Sequence, residues 1–480
     1  MAESPLPYKI LALGPFAPLP EGKFIPHFVQ VDLYSLDDAV STVSPVLYLP
    51  LAQAPDGAVT LKFKRIQDFK PGEILKSLPF PVSPSKEKPL PGAPQPKKAD
   101  PPAQGRKAAL EDILSMVAVP DASFDRALDH TNDDPGPSLM LREIFSNPAF
   151  QKTESAWRGL QTLIQQAEIK GFERIRVSLS CVSPEHLETV LDAVEALPPE
   201  DIPNLVLIDL GFDNTLPSLK NLEKVLGFAD RMLAPSCAWV SPEFFRIENW
   251  NQLHKIPYIR HYLDDMAYAK FRKLKTHAGA AWVMLLANAF AVRPAHECED
   301  TPLFVSPVWG MGTLCAKSVA ASGWPLEFTR YPGYQMENLA MAVYDEKNTT
   351  STQALFSEDR ILQLIEAGIT PMAGVKHKDT AFIPKAAALT GDSIKFQLLM
   401  NRMVEALLHA RRTKTPDNPG DEIRLALTRI FTQTGHGLPQ TIDVANTGKA
   451  SPEGRVFHIS VIPPESIFPG SGPIEFSFVW

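Results

Sequence analysis

The stretch from residue 175 to residue 240 decides the fold, because it contains IRVSLSC (Ile175–Cys181), LVLIDL (Leu205–Leu210) and CAWV (Cys237–Val240). Each of these apolar runs has the length and composition of a buried strand. A helix that opens at Ser183–Pro184 and a second helix at Ser218–Met232 separate them. Strands that alternate with helices in this way form right-handed parallel crossovers. The pattern therefore predicts an α/β fold with a mixed, largely parallel sheet and flanking helices.

Helical patterns continue on both sides of this stretch. Asn147 followed by Pro148 is a good N-cap and first helical residue, and Ser357 and Gly368 have the residue types that begin and end a helix. Further helices are predicted at Leu263–Thr276, Gly312–Ser322, Glu358–Ala367, Asp392–Thr413 and Asp421–Thr434.

Length and composition limit the class of protein. The chain has 480 residues, more than one ordinary domain, and its 44% hydrophobic and 21% charged residues are typical of a globular protein. A net charge of −8 gives no overall basic field, which argues against nucleic-acid binding. The four cysteines form no CxxC pair, the amino terminus has no secretory pattern, and the longest apolar run, Ala278–Val292, is too short to span a bilayer. We therefore expect a cytoplasmic protein without direct membrane insertion.

Proline divides the chain. Nine of its 46 prolines lie between Pro79 and Pro102, a density that no helix or central strand tolerates. Residues 79–107 hold six Lys or Arg and two Asp or Glu, so this stretch is basic within an acidic chain. It is predicted to be a semi-stiff linker between residues 1–78 and residues 108–480.

The first part, residues 1–78, is β-rich. Strands are predicted at Tyr8–Gly14, Phe28–Leu33 and Ala58–Arg65, with a short helix at Leu36–Val43. About eighty residues with three strands make a marginal core. We expect this part to need a partner surface.

The chain ends on two alternating apolar segments, Arg455–Ile462 and Pro473–Trp480. Ile474, Phe476, Phe478 and Trp480 share one face of the last strand. An apolar edge strand must pair with something. Two alternatives are open: a hairpin within the chain, or pairing with another subunit.

Motifs for chemistry are weak. Gly310-Met-Gly312 lacks the third glycine of a dinucleotide loop, and His296-Glu297-Cys298 and His377-Lys-Asp379 have no partner at ligand spacing. We predict no catalytic, cofactor-binding or metal-ligating residues, and therefore no cofactor and no enzyme. The competing interpretation is a cytosolic α/β enzyme whose active site is dispersed in the sequence.

One motif is specific. Leu141–Leu163 reads LREIFSNPAFQKTESAWRGLQTL and resembles a helix of the large sheath subunit (TssC family) of bacterial type VI secretion systems. The matching positions are Phe150, Glu154, Trp157, Arg158, Gly159 and Leu160. Weaker similarities follow in the family's order at Tyr268–Arg293, Val308–Arg330, Glu358–Phe382 and Gly454–Ile462, so the resemblance covers most of residues 108–480. Asn288-Ala289 stands where the family has Pro-Arg.

The first part resembles the small sheath subunit (TssB family). Leu6–Phe16 and Leu61–Leu75 are the similar stretches, and Asp68-Phe69-Lys70-Pro71 is the best local match, whereas Pro15 replaces the usual Asp. The chain is therefore expected to be a fusion of a small and a large subunit.

The segment Ala108–Val117 is similar to the amino-terminal helix of the large subunit, which a recycling AAA+ unfoldase grips in the family. The residues that the resemblance implies for such contact are Leu110, Ile113, Leu114 and Val117. A helix that docks on its own domain is the alternative.

The resemblance implies a structural protein of the bacterial cytoplasm. Its subunits would form a helical homopolymer around an inner-tube protein, on baseplate components, and would contract to propel the tube. A contracting lattice can stay connected through strands exchanged between subunits. The candidate inter-subunit residues are Tyr8, Ile10, Leu11, Phe457, Ile459, Val461, Ile474, Phe476, Phe478 and Trp480. A related phage-tail-like sheath would share this assembly.

Overall fold

The computed structural model describes residues 6–52, 54, 56–78, 135–296, 299, 301–345, 348–413, 418–451, 454–470 and 472–480. The expected linker, residues 79–107, and the expected contact helix at 108–117 lie outside the described residues.

The strands that the structure describes are named in chain order. They are β1 (Tyr8–Gly14), β2 (Val29–Val31), β3 (Val46–Pro50), β4 (Ala58–Lys62), β5 (Ile175–Cys181), β6 (Leu205–Phe212), β7 (Ser236–Val240), β8 (Val283–Ala287), β9 (Phe290–Arg293), β10 (Leu303–Val305), β11 (Ala342–Asp345), β12 (Asn348–Thr350), β13 (Ile369–Pro371), β14 (Ala373–Gly374), β15 (Ala381–Phe382), β16 (Thr441–Ser451), β17 (Gly454–Ile462) and β18 (Ile474–Val479).

The α-helices are named in the same way. They are α1 (Leu36–Val43), α2 (Pro71–Ser77), α3 (Pro135–Ser146), α4 (Pro148–Gln166), α5 (Leu187–Glu195), α6 (Leu216–Met232), α7 (Ile259–Leu263), α8 (Ala269–Leu274), α9 (Pro307–Ser322), α10 (Glu358–Glu366), α11 (Lys395–Thr413) and α12 (Pro419–Thr432).

A seven-stranded sheet organises the molecule, with strand order β13-β8-β7-β6-β1-β5-β2. Its strands are parallel except β2, which pairs antiparallel with β5. Both borders are three-residue strands, β2 and β13. The predicted mixed, largely parallel sheet with flanking helices is confirmed.

Helices cover both faces of this sheet, because its strands are apolar on both sides. Leu11 and Leu13 of β1 face a core shared with α5, α6, α7 and α8. Ile10 and Ala12 face the opposite core, which includes α4, α9, α11 and α12. The two-stranded sheet β3-β4 and the three-stranded sheet β16-β17-β18 pack against this second core.

Local signals explain most element boundaries. Asn147 caps α4 by accepting a hydrogen bond from the Ala149 amide at 2.9 Å, and Ser357 caps α10. Gly368, with φ +81°, ends α10 in a left-handed conformation that favours glycine. The prediction of one helix at Leu263–Thr276 is wrong, because the side chain of Asp265 accepts from the Ala267 amide and starts a separate turn.

Candidate assembly interfaces

The tryptophan of the WRGL motif joins the first part of the chain to the α/β body. Trp157 lies on α4, is fully buried, and donates its indole N–H to the Phe16 carbonyl at 2.9 Å. The Phe16 ring contacts the rings of Trp157 and Trp309 at centroid distances of 4.9 and 6.0 Å. The motif therefore fixes the end of β1 between α4 and α9.

Gly159 lets these two helices approach closely. A Cβ atom on Gly159 would lie 2.3 Å from Cδ1 of Trp309, which is far inside contact distance. Phe150 and Leu160 are fully buried on the same helix. Four of the six matching positions, Phe150, Trp157, Gly159 and Leu160, thus act in packing, and their placement explains why this helix needs those residue types.

Arg158 belongs to a buried charge cluster. Its Nε lies 3.4 Å from the fully buried carboxylate of Glu154, which also accepts from Nε and Nη2 of Arg293 at 3.1 and 3.2 Å. Arg293 also contacts Glu299 at 2.5 Å. Two stretches that separately resemble the sheath family, on α4 and at the end of β9, therefore meet in one ion pair.

Burial and charge shift the titration of this cluster. Burial lowers the pKa of Arg158, although Glu154 opposes the effect. Burial alone would also lower the pKa of Arg293, but the neighbouring carboxylates of Glu154 and Glu299 raise it above its ordinary value. Burial, with Arg293 and Arg158 nearby, lowers the pKa of His296 to about 3, so this imidazole is neutral. The cluster therefore keeps its charges paired inside the protein.

The structure corrects the interpretation of the first strand. Tyr8, Ile10 and Leu11 were predicted to pair with another subunit, but β1 lies in the middle of the seven-stranded sheet. It pairs in parallel with β5 from Tyr8↔Ile175 onward and with β6 from Ile10↔Leu205 onward. Both of its hydrogen-bonding edges are therefore occupied within the chain. The physical reason is that the first part has too small a core of its own and completes the sheet of the second part.

Side chains from the second part of the chain form hydrogen bonds with the main chain where β1 begins. Arg402 on α11 donates to the Leu6 and Pro7 carbonyls at 3.0 and 3.3 Å. Asn204 accepts from the Lys9 amide at 2.8 Å, and the Lys9 ammonium contacts Glu405 at 2.7 Å. This clamp positions the first part relative to α11.

The predicted carboxyl-terminal strands form the sheet β16-β17-β18. β17 is the central strand, because it pairs antiparallel with β16 on one side and with β18 on the other. The prediction that Phe457, Ile459 and Val461 pair between subunits is therefore wrong: this strand has no free edge within the part of the chain that the structure describes. Their side chains are buried against the body.

Within the part of the chain that the structure describes, β18 pairs with a strand on one edge only. Its side chains alternate as predicted, with Ile474 and Phe478 buried, Phe476 and Trp480 half-buried, and Ser477 exposed. Arg455 and Trp480 exchange two backbone hydrogen bonds of 2.9 Å, and the register is unbroken along the strand. In such a ladder the alternate residues Glu475, Ser477 and Val479 direct their backbone N–H and C=O groups away from β17. The Arg411 guanidinium donates a hydrogen bond of 2.9 Å to the Val479 carbonyl, which is one of these outward groups.

The opposite border of this small sheet, β16, is less accessible. Arg424 on α12 donates to the Val444 carbonyl at 3.0 Å. The register also shifts between Asn446 and Ala450, where Gly448 has φ +70°. Such an irregularity twists an edge and disfavours further pairing. Of the two borders, β18 is thus the better acceptor for an added strand.

Groups that could perform chemistry are used structurally. Ser183 Oγ lies 2.8 Å from His186 Nδ1, but this pair opens α5 and the other ring nitrogen contacts the Gly22 carbonyl at 3.3 Å. The glycines of Gly310-Met-Gly312 lie inside α9, where an added Cβ would collide with Met372 or Leu207. Among the described residues no group of three or more His, Cys, Asp or Glu could hold a metal ion. Glu297 and Cys298 lie outside the described residues, and His377 and Asp379 are exposed.

A polar hollow of about 400 Å³ lies beside Arg158. Lys317, one of its lining residues, donates to the Gln335 carbonyl at 2.8 Å and to Gln166 at 3.2 Å, and burial lowers the pKa of its ammonium group. The polar groups here satisfy one another. No helix among the described residues is long and apolar enough to cross a membrane.

Sequence reasoning missed several residues that hold the first part in place. Arg402 and Glu405 are three residues apart on a predicted helix, so their own ion pair could have been found. Their contacts with Leu6 and Lys9 could not, because nothing local relates residues so distant in the sequence. The strand Val46–Pro50 was also missed, although its alternating burial follows from VLYLP.

Comparison with known families defines the class of protein. Residues 203–390 match the family model described as VipB: EvpB/VC_A0108, tail sheath N-terminal domain. This stretch, which holds β6, β7, β8 and α9, is thus similar to a tail-sheath domain, and the resemblance to the large sheath subunit is confirmed.

A particular relative is the type VI secretion system sheath protein TssC1 of Pseudomonas aeruginosa, which is 20% identical over 213 residues, or 41% of this chain. The chain spans 40% of the length of this curated relative.

Solved structures that match this chain include a sheath tail protein from Listeria innocua, with TM-score 0.37 and 11% identity, covering 62% of this chain and 60% of that one. The helical sheath of the anti-feeding prophage in its contracted state has TM-score 0.34 and 12% identity, covering 67% and 77%. The matched family and these proteins are all described as sheath proteins.

Proposed function

We propose that this chain is a structural subunit of a contractile sheath, which polymerises around an inner tube and contracts to propel it. The match of residues 203–390 to a tail sheath domain carries this proposal. The proposed partners are further copies of the chain, an inner-tube protein and baseplate components, in the cytoplasm of a bacterium. The work is mechanical, and the protein would perform no bond-breaking chemistry.

The free edge of β18 supports a role in joining subunits. A strand of a neighbouring copy that paired with Glu475 and Ser477 would add main-chain hydrogen bonds, each contributing about 1 kcal/mol net. The aromatic side chains of β18 already pack against the body, so the added strand needs only backbone contacts. Such a joint would hold two rigid bodies together while they rotate.

We further propose that the chain combines a small and a large sheath subunit. The support is that residues 6–78 contribute β1 and the β3-β4 sheet to a core built mainly by residues 135–480. Trp157 and Arg402 bind the main chain at the two ends of β1. From the same resemblance we propose that an unfoldase contacts Leu110, Ile113, Leu114 and Val117.

Electron microscopy of the purified protein, alone and with the inner-tube protein, tests the proposed function. We expect hollow helical tubes with a periodic outer surface, whose length grows with protein concentration. A protein that remains monomeric by light scattering under both conditions would contradict the proposal.

A further inference from the structure

Charge is separated along one helical layer of the molecule. Residues 183–204, which include α5, contain six Asp or Glu and no Lys or Arg. Residues 254–277, which include α7 and α8, contain six Lys or Arg, three His and two Asp. We refer to Glu185, Glu188 and Asp192 as the acidic stripe and to Lys255, Arg260 and Lys273 as the basic ridge.

The stripe and the ridge cannot neutralise each other within one molecule. α5 connects β5 to β6, whereas α7 and α8 connect β7 to β8, further along the same sheet. α6 lies between them, because it contacts α5 on one side and α8 on the other. The two charged surfaces therefore lie on opposite sides of α6.

α6 forms ion pairs with both of its neighbouring segments, including Arg231 with Glu195. Lys224 pairs with Glu188 at 2.8 Å, and Glu223 pairs with Lys270. Glu185 and Asp192 of the stripe are exposed, as are all three residues of the ridge. The remaining charges of the stripe and the ridge are therefore accessible to solvent.

The ridge also has the composition of an interface. Tyr258 is 45% exposed and Met266 is 82% exposed, and both lie among its cations. Tyrosine, methionine and arginine are the residues enriched in protein–protein interfaces. Burial lowers the pKa of the Lys275 ammonium group, and the nearby guanidinium of Arg260 lowers it further, so positive charge is concentrated here.

We propose that the basic ridge of one copy docks on the acidic stripe of a second copy. Both halves of this contact are present on every chain, and their separation by α6 makes the contact head-to-tail. A heterologous contact of this kind builds an open helical array rather than a closed dimer. The inference deepens the proposed function, since it names a lateral contact between neighbouring subunits that is separate from β18.

Paired charge reversals test this contact. One variant carries Lys255→Glu, Arg260→Glu and Lys273→Glu, and the other carries Glu185→Lys, Glu188→Lys and Asp192→Lys. Sedimentation velocity at about 20 mM salt, where surface charges are weakly screened, measures self-association. Each variant alone should associate about tenfold or more weakly than the wild type, because each would face its own charge across the contact. An equimolar mixture should regain association, because ridge and stripe are again opposite between the two variants.

Matched controls separate this effect from net charge and from misfolding. The variant Lys376→Glu, Lys378→Glu and Lys385→Glu makes the same change in charge at exposed positions elsewhere and should associate as the wild type does. Circular dichroism melting identifies a variant that fails to fold.

Association of each variant at wild-type strength, or a folded mixture that stays dissociated, would overturn the proposed contact. Because sedimentation detects pairwise association without tubes, the result does not depend on whether the protein forms a sheath.

Discussion

At the scale of single residues, the WRGL motif is a packing device. Trp157 reaches the main chain of the first part, and Gly159 admits the Trp309 ring where no Cβ would fit. The motif could be located from the sequence, but its partners Phe16 and Trp309 could not. Tertiary contacts between residues far apart leave no local pattern.

Gly159→Ala should destabilise the protein by about 1–3 kcal/mol, because the added methyl group overpacks the contact with Trp309. The free energy of unfolding in urea measures this change. Gly72→Ala in α2 is the matched control, since no atom lies within 4 Å of its added Cβ. We expect the control to be neutral or stabilised by up to about 1 kcal/mol. Equal stability of the two variants would contradict the packing role.

Asp209 on β6 should make the stability of the folded protein depend on pH. Burial raises the pKa of this carboxyl above its ordinary 3.8, although Trp309 donates a hydrogen bond of 2.9 Å to it. Between the ordinary and the raised pKa the folded state binds more protons than the unfolded state, so stability falls as pH rises. Asp209→Asn should flatten this slope and be at least as stable as the wild type at pH 7.

Urea unfolding from about pH 4 to pH 8 measures the slope. The same substitution at exposed Asp264 should leave the slope unchanged. If the wild type instead gains stability relative to Asp209→Asn as the pH rises, the assigned direction of the pKa shift is incorrect.

At the scale of elements, the alternation of strand and helix from β5 to β8 could be predicted because each element has its own periodicity. Ile175–Cys181 is confirmed without change, and Leu205–Leu210 is extended by two residues. The prediction of one helix at Leu263–Thr276 was wrong because the Asp265 side chain caps a separate turn, which competes with a continuous helix. Such competition is decided by packing and not by propensity.

The β18 edge gives a prediction for assembly. Ser477→Pro removes an N–H group that points away from β17, so the internal ladder stays intact while an added strand loses a hydrogen bond and meets the proline ring. We expect tubes to be absent by electron microscopy, with little change in the melting temperature.

Ser477→Thr, which keeps the N–H group, should assemble normally. Tubes formed by Ser477→Pro would exclude pairing at this edge.

At the scale of the whole molecule, the first part was expected to need a partner surface, and its strand β1 lies inside the seven-stranded sheet. Composition indicates a change in pattern near Pro79. The place of β1 between β5 and β6 could not be predicted, because the order of strands in a sheet depends on long-range pairing. The sequence indicated only that about eighty residues would need a partner surface.

Residues 1–78 and 79–480, produced together as two chains, should co-purify as a folded complex, because β1 is held by hydrogen bonds on both edges and by Arg402. Affinity capture of a tag on the shorter chain measures this association. Ile10→Asp, which places a charge in the core, should abolish it, and Lys62→Asp on the exposed face of β4 should not. Independent elution of the two wild-type chains would refute the joint fold.

The border strands of the two sheets differ in how readily they can pair with an added strand. The seven-stranded sheet ends in three-residue strands, one of which contains Pro371, whereas the small sheet ends in the six-residue β18. Because its pairing register is unbroken whereas that of β16 is not, β18 is the better template for a foreign strand from another copy at high concentration. A cell that makes this protein in quantity would avoid aggregation if another strand covered β18 early. Aggregation of the isolated protein should begin at this edge.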